Sequence, residues 1–559
     1  MNGCSCIPSP DVPERISHWQ LILQQGVLTP QIVDYPYRGS GTEKDPFVVT
    51  WIPDDPRDPM QFSATRKWTY TILVAMATLA VALVSSAYTE GLPQILDEFN
   101  ISSEVGTLGV ALFVVGFAIG PLLWAPLSEL YGRQLPFFVS YGGLTAFNAG
   151  VPGSQNTWTL IILRFFAGAF GSSPLTNAGG VIADLFPASQ RGLALSIFAA
   201  ASFLGPVLGG FLGMTSAWKW VMGFLAAFSG TLWIICALLV PETFGPRLLE
   251  QRAKAMSRQS ASGKIYRSEL EAKKGKLSAA KAFKISLSRP WILLFLEPIV
   301  LLMSIYMAII YGTLYIMASP VLLSGATVGM ICAVVYNIFD NKRYQKTQER
   351  HNGFAPPEAR LPPCLVGIIA IPLGLFWFAW TTLSSIHWVA CTIAAAPFGS
   401  GMVLVFLSVM NYLIDAYTIY AASVLAANSV LRSLFGAAFP LFTQQMYANL
   451  GTQWASSVPA FLALAFKCKF AVESEAYMRQ VAEEVDAREG ASAMSARTTG
   501  IERAPSVGQS NGGDSSDTDI QELSGVSRTV GRARSTSLRR TSTVVYEGNP
   551  YDIDRVNTR

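Results

Sequence analysis

Residues 164–210 read RFFAGAFGSSPLTNAGGVIADLFPASQRGLALSIFAAASFLGPVLGG, and this stretch decides the fold. It contains two apolar helices joined by a short charged turn from Asp184 to Arg191. Arg164 lies inside the first helix, and Gly205-Pro206-x-x-Gly209-Gly210 lies inside the second. A charge at the centre of an apolar span costs about 2.5–3.5 kcal/mol on insertion scales, so it turns toward a partner or a wet cavity. Clustered glycines remove side chains where helices must touch, and proline loosens the backbone ladder. A buried cation, a close-packed bend and a charged turn at a membrane edge describe a polytopic membrane protein better than any soluble fold.

The composition agrees. The chain has 559 residues, 51% hydrophobic and 14% charged, against about 25% charged in ordinary soluble domains. The net charge is only +4, so the placement of charges carries the information. The cysteines (Cys4, Cys6, Cys236, Cys332, Cys364, Cys391, Cys468) fall in no outer loop, which implies no disulfide framework. His18, His351 and His387 are too scattered for a histidine metal site. The phosphate-binding loop of nucleotide-driven pumps is missing, and no nucleophile–base set stands out. The chain is therefore read as no enzyme, with no cofactor, no metal and no nucleic acid; its partners are the bilayer and a small molecule.

Residues 1–66 are polar and Pro-rich, as in GSGTEKDPFVVTWIPDDPRDP (39–59), and read as a disordered tail without a cleavable signal pattern. Long apolar runs follow at 68–88, 105–125, 135–153, 157–180, 192–214 and 218–240. After a basic linker (241–290) come runs at 291–317, 320–339, 362–382, 386–414, 421–447 and 454–466. Most are near the ~20 residues that span a bilayer, and two sets of six suggest a duplicated bundle. The domains expected are thus 1–66, 67–240, 241–290, 291–466 and a disordered Ser/Arg-rich tail at 467–559.

Lysine and arginine set the orientation. They crowd the linker, from Arg247 to Arg289, and the loop after the eighth run (Lys342, Arg343, Lys346, Arg350). On the other side, residues 88–104 and 152–158 have none, and only Lys219 spoils the pattern. Both termini are expected in the cytoplasm, and Asn100-Ile101-Ser102 then falls outside as a glycosylation candidate.

Several motifs occur in order: GPLLWAPLSELYGRQ (120–134), RFFAGAFGS from Arg164, GPVLGG from Gly205, Pro241-Glu242-Thr243, and NYLIDAYTIYAASVLAANSVLRSLFGAAFPLF (411–442). Together they resemble the fungal twelve-span drug:proton antiporters of the major facilitator superfamily. The resemblance implies an all-α membrane fold of two six-helix bundles around a central cavity. It also implies proton-driven efflux of small apolar or amphipathic compounds (drugs, fungicides, toxic metabolites) at the plasma membrane, by a functional monomer. Relatives of this kind usually have a longer stretch between the seventh and eighth spans, and a longer last span.

By the same resemblance, Glu129 and Arg133 belong to a cytoplasmic gate with Asp184 and Arg191 as partners, and Glu242 is either a further member or an ordinary topogenic charge. Arg164 matches an arginine associated with proton coupling, against the alternative that it pairs with backbone carbonyls. Gly205, Pro206, Gly209 and Gly210 match a packing motif placed between the two bundles. From the residues themselves, Asp415 ends the tenth run and reads as a second gate acid. Arg432 lies about 17 Å into its helix and should face the cavity or an acceptor such as Asn428 or Asn411. Asn177, Tyr306, Tyr311 and Tyr315 are cavity candidates, and Glu297 is either interfacial or a proton site. Two other readings stay open: a proton-coupled nutrient importer, and a non-transporting membrane receptor or scaffold.

Overall fold

The computed structural model describes residues 16–501, except 44, 261–263, 275–278, 317–319, 351–356, 383–385 and 418–420. Side chains are also left undescribed at 188–189, 215, 273–274, 279–283, 285–286, 315–316, 320–323, 421–422, 444 and 466–501. The first half contains α3 (Ala64–Phe99), α4 (Ser103–Tyr131), α5 (Gln134–Gly150), α6 (Thr157–Leu185), α7 (Ala188–Thr215) and α8 (Trp218–Leu239). The second contains α11 (Ala279–Leu296), α12 (Pro298–Ile316), α13 (Pro320–Arg350), α14 (Pro362–Thr381), α15 (Trp388–Ala416) and α16 (Ala421–Ile501). A helix closes all its backbone hydrogen bonds on itself, which is why these runs adopt it. Prolines 121, 126, 174 and 206 are accommodated inside α4, α6 and α7.

Polar residues mark the helix starts. Ser102 Oγ accepts from Val105 N (3.5 Å), and Asn156 Oδ1 accepts from Thr159 N (2.8 Å). Asn100 ends α3 in the left-handed conformation (φ +49°) and is exposed at the turn into α4. Across that face, Lys219 pairs with Glu98, whose other oxygen accepts from Trp218 Nε1 (2.9 Å). The one lysine that breaks the charge pattern is thereby matched by a carboxylate.

Among the described residues, eight helices are long and apolar enough to cross a membrane. A ninth is added if Leu287–Leu296 and Pro298–Leu314, bent by 95°, count as one span. Twelve apolar runs were expected. Of the other expected runs, α5 has 17 residues, and those at 320–339 and 454–466 lie only partly within the described residues, the latter after the break in α16 at Gly451 (φ +72°). The tight passage expected between the seventh and eighth spans, at residues 317–319, lies outside the described residues.

In the first half α3 packs on α7 and α8, α4 on α6, and α5 on α6 and α8; in the second, α15 packs on α13 and α14. The halves meet where α7 lies against α13 and α15. One apolar core runs across this seam, from Ile182, Phe198 and Phe203 to Met303, Phe398 and Val403.

The N-terminal stretch corrects the expectation of a tail disordered through residue 66. Its β1 (Phe47–Val49) pairs in parallel with β2 (Tyr266–Ser268) of the linker. The short helices α1 (His18–Leu23) and α2 (Pro30–Val33) precede it, and α9 (Gly245–Gln259) and α10 (Glu269–Lys274) complete the linker. Ile32, Val49 and Ile52 bury themselves against Leu249, Ala253 and Met256 of α9. Asp55, fully buried, receives both Arg252 Nη1 (2.6 Å) and Nη2 (3.1 Å). Short apolar clusters between prolines cannot form a core alone; here the amphipathic face of α9 supplies the missing half.

The end of the chain also differs from expectation. The backbone of α16 stays helical to Ile501, past Lys467 and Lys469, where the last span was expected to stop. The compact unit that holds both halves ends at Ser474, and a second unit begins at Glu475. The Ser/Arg-rich remainder, from residue 502, lies outside the described residues.

Candidate functional site

Charges gather at the end of the bundle that carries the linker. Arg133 caps α5 and is buried there. Its Nε donates to Asp184 Oδ2 (3.2 Å), its Nη1 donates to Ser128 Oγ (2.9 Å), and Phe244 lies under the guanidinium at 4.7 Å. Glu242, fully buried, does something different from pairing with that cation. Its carboxylate accepts from the backbone N–H groups of Arg133 (2.8 Å) and Gln134 (3.1 Å), closing the N-terminus of α5. It also accepts from the N–H groups of Thr243 (3.0 Å) and Phe244 (2.9 Å). Gly132 is required there twice over: its φ is +89°, and a Cβ would lie 2.2 Å from Glu242 Oε2. Glu129 is half-buried on the last turn of α4.

Arg57 ties the N-terminal lobe to this cluster, donating to the carbonyls of Glu242 and Leu21 (3.2 Å each). Burial pushes its guanidinium down to about 10, with Glu242 acting in the opposite direction, so it stays charged at neutral pH.

A second cluster joins the halves. Arg191 of α7 donates from Nη1 to Asp415 Oδ1 on α15 (3.4 Å). Arg360 Nε (3.0 Å) and Tyr344 OH (3.3 Å) donate to the other oxygen of Asp415. Arg360 also stacks on the Tyr344 ring at 3.3 Å, and nearby Asn337 Nδ2 of α13 donates to Ser196 Oγ of α7. Arg191 thus bonds Asp415, while its Nη2 donates to the Ala183 carbonyl (3.5 Å) and it stays within electrostatic reach of Asp184. The residues missed by sequence reading are Arg360, Tyr344, Asn337, Ser196 and Ser128. Arg360 had a detectable signal. With α11 and α12 counted as one bent span, it precedes the third span of its half, as Arg133 does in the first, and Asp415 closes the fourth as Asp184 does.

Between these clusters and the opposite face lies a narrow cavity, with about 30 Å³ of room for water-sized groups, lined by both halves. α3 contributes Ala82 and Ser85, α7 contributes Phe198, Phe203 and Pro206, and α16 contributes Asn428, Ser429 and Arg432. Arg432 lies over Tyr311 (4.8 Å) and Phe406 (5.4 Å), both of which also line the space. Asn428 Nδ2 donates to Ser304 Oγ (3.2 Å).

Other candidates stand elsewhere. Asn177 and Asn411 are buried and donate within their own helices, to Ser173 Oγ (3.0 Å) and the Leu407 carbonyl (2.8 Å); neither borders the cavity. Tyr306 is buried but also outside the lining. Glu297 occupies the bend between α11 and α12 and accepts from Tyr417 OH (3.3 Å), away from the cavity. The side chain of Tyr315 lies outside the described residues.

Arg164 is fully buried behind the cavity wall. It donates to the carbonyls of Val84 (2.8 Å), Ser85 (3.2 Å) and Gly109 (3.2 Å), between the rings of Tyr88 and Phe113, each 4.4 Å away. The alternative of backbone pairing describes this geometry. The glycine motif also faces another way than expected. A Cβ on Gly205 would lie 2.3 Å from Ala82 Cβ, and one on Gly209 would lie 2.1 Å from Ser86 Oγ, so both glycines seat α7 on α3 of the same half. Pro206 borders the cavity and Gly210 is buried.

Two helical halves around a shared cavity set the fold, and comparison with known proteins decides the family: the Major Facilitator Superfamily profile matches residues 72–440. The chain belongs to the major facilitator superfamily. It is 57% identical to the major facilitator superfamily multidrug transporter mdrA of Aspergillus fumigatus, over 98% of this chain and 96% of that one. It is 56% identical to the MFS-type efflux pump MFS2 of Trichophyton rubrum, over the same shares of each. Among solved structures, the proton:xylose symporter XylE superposes with a TM-score of 0.52 at 14% identity, covering 73% of this chain and 95% of that one. As a member of this superfamily the chain is a membrane transporter of small molecules, not an enzyme.

Proposed function

We propose that this transporter is an efflux pump at the plasma membrane, working as a monomer with both termini in the cytoplasm. It exports small apolar or amphipathic compounds in exchange for protons, by alternating access. The observation that carries this reading is the cavity between the halves together with the Arg191–Asp415 bridge (3.4 Å) across the seam. A carrier needs a site that both halves share and a tie that breaks when they rock apart. The names of the relatives, a multidrug transporter and an efflux pump, support the outward direction. In this reading Arg133–Asp184 and Arg191–Asp415–Arg360 hold the cytoplasmic side shut, and Glu242 organises the backbone beneath the first pair. Arg164 holds the cavity wall of α3 through the Ser85 carbonyl, and Asn100 lies outside as an acceptor for glycan.

The test uses the purified full chain in liposomes, with a panel of neutral, anionic and cationic naphthyl amphipaths and an imposed pH gradient. Gradient-dependent movement of at least one probe is expected. Movement of none at any gradient would favour the receptor or scaffold reading, and gradient-driven uptake toward the linker side would favour an importer.

A further inference from the structure

Among the described residues, sixteen line the cavity; of these Arg432 and the phenol of Tyr311 are the ionisable groups, and none is a carboxylate. One wall is polar. Asn428, Ser429 and Arg432 follow one another at helical spacing on α16, so they share a face. The guanidinium lies over the rings of Tyr311 and Phe406, 4.8 and 5.4 Å away. The rest of the lining is mostly apolar, with Phe117, Phe198, Phe203 and Met410, alongside the hydroxyls of Ser85, Thr176 and Ser202. Arg432 is only 8% exposed, so water screens it poorly. A cation in such a wall attracts an anionic head and repels a cationic one. The aromatic part of the lining offers a ring or chain an apolar surface to pack against.

We infer that the cargo is an amphipathic monoanion, an organic carboxylate with an aromatic or alicyclic body, and that Arg432 is its counter-charge. The inference rests on the export reading above. It adds that the interior-negative potential of a cell helps the cargo leave, because an anion moving outward runs down the electrical gradient.

The experiment measures binding and efflux of three probes that share one ring: 1-naphthoate, neutral 1-naphthamide and cationic 1-naphthylmethylamine. Equilibrium dialysis against the purified full chain gives affinity, and liposomes with a valinomycin-set potential give efflux. Naphthoate is expected to bind roughly tenfold or more tighter than the amide, with the amine weakest, and its efflux is expected to rise with an interior-negative potential. Arg432→Gln should bring naphthoate to parity with the amide, while Arg432→Lys should keep a preference for the anion. Equal or tighter binding of the amine overturns the inference, as does an unchanged naphthoate preference in a folded Arg432→Gln chain. Selective naphthoate binding without efflux of any probe overturns the export reading but keeps the site. Efflux without charge preference overturns the site but keeps export, and failure of both binding and efflux overturns both.

Discussion

Arg191 Nη1 of α7 lies 3.4 Å from Asp415 Oδ1 of α15, and this pair joins the two halves at the linker end. Asp415 is shared: Arg360 of its own half approaches the second oxygen at 3.0 Å. All three side chains are largely buried. One carboxylate thus holds a cation from each side of the seam. Losing the cross-half contact leaves Asp415 with Arg360, so the halves can separate without stranding a buried acid.

Asp415→Asn removes the negative charge and leaves two buried arginines facing each other. Breaking one partner of a buried ion pair costs about 3–5 kcal/mol, so the closed linker face should lose much of its population. A cysteine placed at Ser429, inside the cavity, should react with aqueous maleimide from the linker side roughly tenfold faster in this background. An unchanged rate would mean that the bridge does not hold the seam.

Gly205→Ala puts a Cβ 2.3 Å from Ala82 Cβ, where the neighbouring helix backbone cannot yield. Overpacking of this kind costs about 1–3 kcal/mol. Gly223→Ala, on α8 with nothing within 4 Å, is the control; it should gain about 0.5–1 kcal/mol from helix propensity. Thermal unfolding in detergent should lower the midpoint for the first and hold or raise it for the second. Equal midpoints would refute the close contact of α3 and α7.

Much of this was legible in the chain. The apolar runs and the basic linker could be read because each is a local signal, of length or of charge; the Arg133–Asp184 pairing came through the resemblance of the motifs around the two residues. The direction of Gly205 and Gly209 was not legible, because a small-residue stripe marks close contact without naming the partner helix. Nor was the lobe that buries Asp55, since Val49 and Ile52 find their core in α9, some two hundred residues further along the sequence.

Asp55→Ala should open that lobe. It leaves Arg252, 2% exposed, without its bidentate partner, at a cost of about 3–5 kcal/mol. Limited proteolysis should then cut between residues 24 and 63 and in the linker, while the membrane helices stay protected. Resistance equal to wild type would mean the lobe is held by other contacts.

Arg164→Ala should disturb the cavity wall and not coupling alone, because the guanidinium holds the carbonyls of Val84, Ser85 and Gly109 at 2.8–3.2 Å. The expected outcome is a lower unfolding midpoint together with lost efflux. Arg164→Lys, which keeps the charge but not the three-way fork, should recover little of either. Full stability with lost proton dependence would instead assign Arg164 to coupling.

The most direct test of the account is a distance between the halves at the linker face. Spin labels carried on p-acetylphenylalanine at Gln190 and Lys342, both exposed and on opposite sides of the seam, can be read by pulsed dipolar spectroscopy. With the full chain in nanodiscs, we predict one short distance for the closed arrangement. A second, longer population should appear on adding cargo or changing pH, and should dominate in Asp415→Asn. A single unchanged distance under all of these conditions would contradict alternation about the shared cavity.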